Sequence, residues 1–244
     1  MAQILAKREL TSGHIAWVAM SEVADGDMSI GNYQAREKSI QQASHSLERL
    51  HPGLEVPPIN NWSYLTQVHG VQILEVTGDD IVRGDDGDAL VTTLEKSVLT
   101  VQVADCVPIS LISEGGAIAI AHAGWRGLLK GVLEETSNNL SATKPGKQTA
   151  VIGPHIGPCC YEFGREELDQ FIQRFGISVE ASTKINSNSL NLSAVAERIC
   201  EQKGIEIIRK DSSCTSCLAG TKYWSFRFNS TELRQCLFAW IEKK

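Results

Sequence analysis

Four short apolar runs in the middle of the chain constrain its fold most: Ala89 to Thr92, Val98 to Val103, Val107 to Ile112 and Ala117 to Ala121. They are rich in Val, Ile and Leu and are separated by turn residues such as Asp105, Gly115 and Gly116. That is how strands read. Further strands are expected at Gly13 to Ala19, at Thr149 to Ile152, and through Val68, Val71, Ile73 and Val76 with a turn near Gly70. Late strands are expected at Ile205 to Arg209, Tyr223 to Phe228 and Cys236 to Ile241.

Helices alternate with these strands. Over Tyr33 to Leu50, the residues Ile40, Ala43, Leu47 and Leu50 recur at spacings of three and four, as on one helix face. Leu128 to Leu140 follows a Gly-rich turn at Gly124 to Gly127, and two more helices are expected at Glu166 to Phe175 and Leu192 to Lys203. Ser21 to Gly31 and Thr77 to Gly87 read as acidic loops, and Pro52, Pro57 and Pro58 break the chain. Strands and helices follow no strict βαβ rhythm. The expectation is a mixed α/β fold, with one mixed sheet flanked by helices in a single domain spanning residues 1–244.

Composition narrows the function classes. The hydrophobic content of 42% is that of an ordinary globular chain. A net charge of -6 with no dense Lys/Arg run argues against nucleic acid as a partner, while leaving room for a local basic pocket that takes a small anion. No stretch approaches the ~20 apolar residues needed to span a bilayer. Lys7, Arg8 and Glu9 stand where a secretory signal would need its apolar segment, so a cytoplasmic enzyme is expected. Seven cysteines at irregular spacings read as reduced thiols.

Three segments bring a His or Cys to the end of an apolar run beside Gly or Pro: Gln67-Val68-His69-Gly70, Ala104-Asp105-Cys106-Val107-Pro108 and Ala121-His122-Ala123-Gly124. Strand ends far apart in sequence converge in a sheet. Two imidazoles and a thiolate suit zinc, and three protein ligands leave a fourth position open, as in catalytic sites. Spacing alone fits equally well a core His, a turn His and a small buried Cys.

The same segments, in this order, resemble the YfiH-type family, also called the laccase-domain, multicopper polyphenol oxidase or peptidoglycan editing factor family. The resemblance extends to Asp88-Ala89-Leu90-Val91-Thr92, to the Gly/Pro loop Gly153 to Gly164, to Cys214-Thr215 and to Tyr223 to Arg227. It covers roughly Trp62 to Ile241. It implies a zinc site at His69, Cys106 and His122, with copper as a lesser candidate. It also implies phosphorolysis of adenosine, inosine, guanosine and S-methyl-5'-thioadenosine, with adenosine deamination as a second activity. The family's N-terminal Arg-x-Gly-Gly-Val-Ser stretch is replaced here by Met20 to Asp27, which puts phosphorolysis in question while leaving the metal ligands in place.

Purine nucleoside and phosphate are therefore the expected substrates. Arg126 is the candidate to bind phosphate, with Arg227 second. Asp105 is the candidate proton-handling carboxylate, with Asp88 and Glu162 as alternatives. Gln67, Gly153 and Gly157 are candidates to contact substrate, His155 is placed at the pocket rim, and Trp125, Trp224 and Phe226 are candidates to stack on a base. The pair Cys214-x-x-Cys217 lacks the two further ligands that a structural zinc needs in sequence. One rival reading uses Cys106 and His122 as nucleophile and base of an amidase acting on peptidoglycan precursors. Another is a metal- or partner-binding protein without catalysis. A multicopper oxidase conflicts with a total of six histidines and no His-x-His pair.

Overall fold

In the strand Gln235–Lys243, Leu237, Ala239 and Ile241 point one way, Cys236, Phe238 and Trp240 the other, and both sets are buried. A strand buried on both faces lies between two apolar layers, and that requirement organises the whole structure. The computed structural model describes residues 1–31, 33–78, 81–183 and 188–244.

The elements in chain order are β1 (Gln3–Glu9), β2 (His14–Met20), α1 (Tyr33–Leu50), β3 (Trp62–Thr66), β4 (Ile73–Val76), β5 (Arg83–Asp86) and β6 (Ala89–Thr92). There follow β7 (Val98–Val103), β8 (Val107–Ser113), β9 (Ala117–Ala123), α2 (Trp125–Lys130), α3 (Val132–Thr143) and β10 (Gln148–Ile152). The chain continues through α4 (Arg165–Phe175), β11 (Glu180–Ala181), β12 (Ser189–Leu190), α5 (Leu192–Lys203), β13 (Glu206–Lys210), α6 (Phe226–Asn229) and β14 (Gln235–Lys243).

The strands form two mixed six-stranded sheets, ordered β1-β2-β14-β7-β3-β5 and β13-β10-β8-β9-β6-β4, and β11 and β12 make a small separate ladder. Between the sheets lies a core to which the first contributes Val18, Leu65, Leu99, Val101, Leu237 and Ile241, and the second contributes Leu90, Ile112, Ile118, Ile120 and Val151. Helix α1 covers the outer face of the first sheet, with Ile40, Ala43 and Leu47 against Trp17, Trp62, Phe238 and Trp240. Helices α2 to α5 cover the outer face of the second, where Leu128, Leu133, Phe171 and Ile199 meet Ala119, Ala121 and Ile109. The result is a helix–sheet–sheet–helix stack. Three connections, β3 to β4, β5 to β6 and β7 to β8, leave the first sheet and join the second. Because β3 is parallel to both β5 and β7, all three leave from the same end.

The mixed α/β class follows the sequence reading, with differences that have physical causes. Two sheets replace one because their inner faces bury each other. The charged strand β1, with Lys7, Arg8 and Glu9, sits at a sheet edge, where charge deters pairing with other chains and masks the strand signal. The helix expected from Leu128 breaks at Gly131, whose φ of 103° starts a new helix, α3. Residues 67–72 form a loop, so the strand expected through Val68 begins only at Ile73. The loop expected at Thr77 to Gly87 contains β5, and its positions 79–80 lie outside the described residues. The strand expected at Tyr223 to Phe228 is instead a turn and the short helix α6, capped by Ser225, whose Oγ accepts from Phe228 N at 3.2 Å.

Leu47 is fully buried between α1 and the first sheet. Leu47→Ala is expected to lower stability by about 2–5 kcal/mol in urea unfolding, through lost burial and a residual cavity. Gln41→Ala, on the exposed face of the same helix, should stay within about 0.5 kcal/mol.

Candidate metal centre

Each of the three sheet-to-sheet connections carries one polar residue to the same point: His69 on the first, Asp88 on the second and Cys106 on the third. Strand β9 brings the fourth, His122, three residues before α2 begins at Trp125. The ligand atoms of His69, Cys106 and His122 lie within 4.8 Å of one another. Cys106 Sγ is 4.0 Å from His69 Nε2, and the two imidazole rings meet edge to face at 4.8 Å. A tetrahedral zinc with bonds of about 2.0–2.3 Å holds its donors roughly 3.3–3.8 Å apart, so the set fits one such ion after a small contraction.

Asp88 assembles the group. It is fully buried, and its Oδ1 accepts from His69 N at 3.0 Å and lies 2.8 Å from His122 Nδ1. Its Oδ2 accepts from Gly70 N at 2.6 Å and Val68 N at 3.3 Å. Occupying Nδ1 of His122 leaves Nε2 as the free nitrogen, the arrangement in which a carboxylate fixes ring orientation and tautomer for a metal ligand. The Asp88 backbone also accepts from His122 N at 2.8 Å. Burial raises the Asp88 carboxyl, but His122 and the Gly70 and His69 amides outweigh it and hold it below the usual carboxylate range. Burial likewise opposes charge on Cys106, yet the adjacent His122 and His69 rings bring its thiol down to about 6. Against the same burial, the Cys106 sulfur and Asp88 push His122 up to about 9. The pocket thus favours a thiolate, the form that binds a soft cation.

Close approach of these side chains requires Gly124. A Cβ there would stand 2.8 Å from His69 Cδ2 and 3.1 Å from Cys106 Sγ. His69 itself adopts φ 57°, a left-handed turn held by the amide bonds to Asp88.

The centre opens into a cavity of about 570 Å³ at the end of the sandwich. Its lining includes Arg126, Arg227 and Arg234, the carboxylate residue Glu232, and the aromatic residues Trp125, Tyr161 and Phe226. Arg126 is exposed, stacks on Trp125 at 4.2 Å and has no carboxylate partner among the described residues. Arg227 lies over Tyr161 at 4.7 Å and donates to Glu162 O at 2.9 Å.

Comparison with known proteins bears on this arrangement. A profile of the family described as "Multi-copper polyphenol oxidoreductase laccase" matches residues 24–242. The chain belongs to this family. Among its relatives is "Purine nucleoside phosphorylase YfiH" of Escherichia coli, 33% identical over 183 residues, which are 73% of each chain. Another is "Purine nucleoside phosphorylase CA_C1699" of Clostridium acetobutylicum, 30% identical over 190 residues, 76% of this chain and 78% of the relative. The crystal structure of Neisseria meningitidis protein NMB0706 superimposes with a TM-score of 0.77 at 21% identity, covering 99% of both chains. That of the Bacillus licheniformis hypothetical protein YfiH gives 0.76 at 20% identity, covering 96% of this chain and 98% of the other. These two structures share the fold.

Within this laccase-domain fold the remaining sequence candidates take various places. Arg126, Arg227 and Asp105 line the cavity. Asp105 is buried with φ 99°, and its two carboxylate oxygens accept from Thr215 Oγ1 and Arg227 N, both at 2.6 Å. Its carboxylate therefore holds two loops together. Gln67 also faces the cavity, but its amide is paired with the backbone of Gln102 in both directions at 2.7 Å. Gly153 packs against Pro108 and Leu237, and Gly157 against Cys214 and Cys159, so protein atoms fill the space where substrate contact was expected. His155 is buried with Nδ1 2.9 Å from Gly153 O, away from the rim, and burial lowers its pKa. Tyr161 and Arg234 escaped the sequence reading. Tyr161 lies inside the Gly/Pro loop that the reading did single out, whereas Arg234 stands in a segment without a motif.

Asp88→Asn can donate to His122 Nδ1 where the carboxylate accepts, so it favours the wrong tautomer. Zinc affinity, measured by chelator competition, is expected to fall about 10–100-fold. Gly124→Ala is expected to weaken zinc as well, with little change in melting temperature, because the added methyl displaces the ligands themselves.

Proposed function

We propose that this chain is a zinc-dependent purine nucleoside phosphorylase acting on adenosine, inosine, guanosine and S-methyl-5'-thioadenosine. One observation carries the reading: the two-imidazole, one-thiolate set of His69, Cys106 and His122 opens into a cavity lined by arginines and aromatic rings. The names of the relatives support it. Bound at this centre, zinc supplies a Lewis acid with an open coordination position. A multi-copper cluster does not fit, since of six histidines only His69 and His122 line the cavity.

The protein's own groups divide the remaining work. Arg126, which has no carboxylate partner among the described residues, binds phosphate and holds it beside the anomeric carbon, with Arg227 as a second cation lining the cavity. A phosphate oxygen bonds to that carbon as the glycosidic C–N bond breaks, and the purine leaves with the electron pair and takes up the proton that the hydrogen phosphate gives up. Phe226, exposed where it lines the cavity, offers a face on which the purine stacks, whereas Trp125 and Tyr161 carry the guanidinium groups of Arg126 and Arg227 over their rings. Asp105 positions Arg227 through its backbone amide. Arg126, Arg227 and Arg234 all line this cavity, so anion binding here does not depend on the arginine missing from the N-terminal motif. Adenosine deamination is a different reaction at the same centre: water adds at purine C6, the C6–N bond breaks and ammonia leaves.

A second reading rests on a specific observation. Cys106, His122 and Asp88 line up as nucleophile, base and orienting carboxylate of a cysteine hydrolase. This is the amidase alternative, and it differs in needing no metal.

Protein purified without added metal is expected to carry zinc and to release free base from adenosine, inosine and S-methyl-5'-thioadenosine only with phosphate. Cys106→Ala should lose turnover. Arg126→Ala should lower kcat/KM for phosphate by roughly 10- to 150-fold, the loss of about 1.5–3 kcal/mol of charged hydrogen bonding. Ammonia release independent of phosphate would make deamination the main chemistry. Amide hydrolysis that persists in chelator, without nucleoside turnover, would replace the phosphorylase by the hydrolase.

A further inference from the structure

We propose that Cys159, Cys160, Cys214 and Cys217 form a second metal centre, a structural zinc site of four thiolates that is separate from the one at the cavity. The sulfurs of all four lie within 4.8 Å of one another, and none of the four residues lines the cavity. Cys159 Sγ is 3.7 Å and Cys160 Sγ 3.5 Å from Cys217 Sγ. Zinc–sulfur bonds of about 2.3 Å in a tetrahedron place sulfurs roughly 3.8 Å apart. A disulfide would place them at about 2.05 Å, and all four thiols are free. The cluster therefore has the dimensions of a single-ion tetrathiolate. Sulfurs this close together enclose no room for several irons.

The fold builds the site from two segments that are over fifty residues apart. The Gly/Pro loop runs beside the segment after β13, joined by a bridge between His155 and Cys214 and by Thr215 N donating to His155 O at 3.0 Å. This supplies Cys214-x-x-Cys217 with the two ligands it lacks in sequence. Gly157 permits the approach, because a Cβ there would stand 3.1 Å from Cys214 Cβ and 3.3 Å from Cys159 Sγ. Its N–H donates to Cys214 Sγ at 3.1 Å, the kind of amide hydrogen bond that stabilises a ligating thiolate. Cys160 turns back on the same loop through its amide bond to Gly157 O at 3.0 Å, which lets neighbouring side chains reach one point. Exposure of Cys159 and Cys217 gives an ion direct access from solvent. Zinc entering the site displaces the thiol protons to water, with no electron transferred. The ion would pin the loop that carries Tyr161 to the segment whose Thr215 holds Asp105, and so stiffen one wall of the cavity.

The deciding protein is Cys106→Ala, purified in reductant and supplied with zinc. It is expected to retain one zinc per chain, with a sulfur-only shell at about 2.3 Å in X-ray absorption. In an otherwise wild-type chain, Cys159→Ser with Cys217→Ser should remove one zinc and lower the melting temperature. If that double variant does not fold, the absorption measurement on Cys106→Ala decides alone. A zinc-free Cys106→Ala protein, iron in place of zinc, or a disulfide among these four cysteines under reductant would overturn the proposal. A sulfur-coordinated zinc in Cys106→Ala, together with a zinc-loaded unsubstituted chain that shows no nucleoside turnover, would uphold it while refuting the phosphorylase reading.

Discussion

The centre depends on a single buried carboxylate. Asp88 has no water to solvate it, and four donors replace that solvation: three consecutive amides of the loop 68–70 and the ring of His122. An ionised carboxylate without such partners would cost several kcal/mol in this environment. The same four bonds fix the left-handed backbone of His69 and the ring orientation of His122. Two of three ligand positions thus follow from satisfying one charge.

The two-sheet stack explains why a site arises at this end. Chain segments that pass between sheets leave their ladders for a few residues, and those residues have backbone groups and side chains not committed to pairing. Three such passages from one end of parallel strands concentrate His69, Asp88 and Cys106 within a few ångströms. Strand β9 adds His122 at fixed register, with Ala121 opposite Ala89 and His122 opposite Pro108. The surrounding layers hold these strand ends rigidly, because each inner strand is buried on both faces.

Much of this was legible in the sequence, for identifiable reasons. Helices α1 and α5 and strands β6 and β7 carry strong apolar periodicity or unbroken β-branched runs, and their limits agree with the sequence reading. Gly131 was overlooked because the apolar pattern continues on both sides of the break. The exposed Phe226 and Phe228 imitated a strand, though only tertiary context reveals that no partner strand lies beside them. Strand ends beside Gly and Pro single out His69, Cys106 and His122, but spacing alone leaves their convergence open, and it is the family resemblance that implies a shared site. Roles that depend on hydrogen bonds across the chain are not legible in the sequence: Gln67 pairs with Gln102, and Gly157 donates to Cys214, more than fifty residues away. Arg234 reaches the cavity only through the path of the chain before β14.

Asp105 shows how the walls and the centre are coupled. A φ of 99° is unfavourable for a residue with a side chain and persists only where neighbours over-determine it. Here Thr215 and Arg227 bind its carboxylate, and Ile156 N donates to its carbonyl at 2.9 Å. Those partners come from three segments: the Gly/Pro loop, the cysteine-bearing segment and α6. The bend that Asp105 makes is also the bend that delivers Cys106 to the imidazoles. Anything that loosens the two loops therefore relaxes the bend and moves the thiolate, without touching a ligand. Stiffening those loops is what preorganises the thiolate, and the four cysteines stand where the two loops meet.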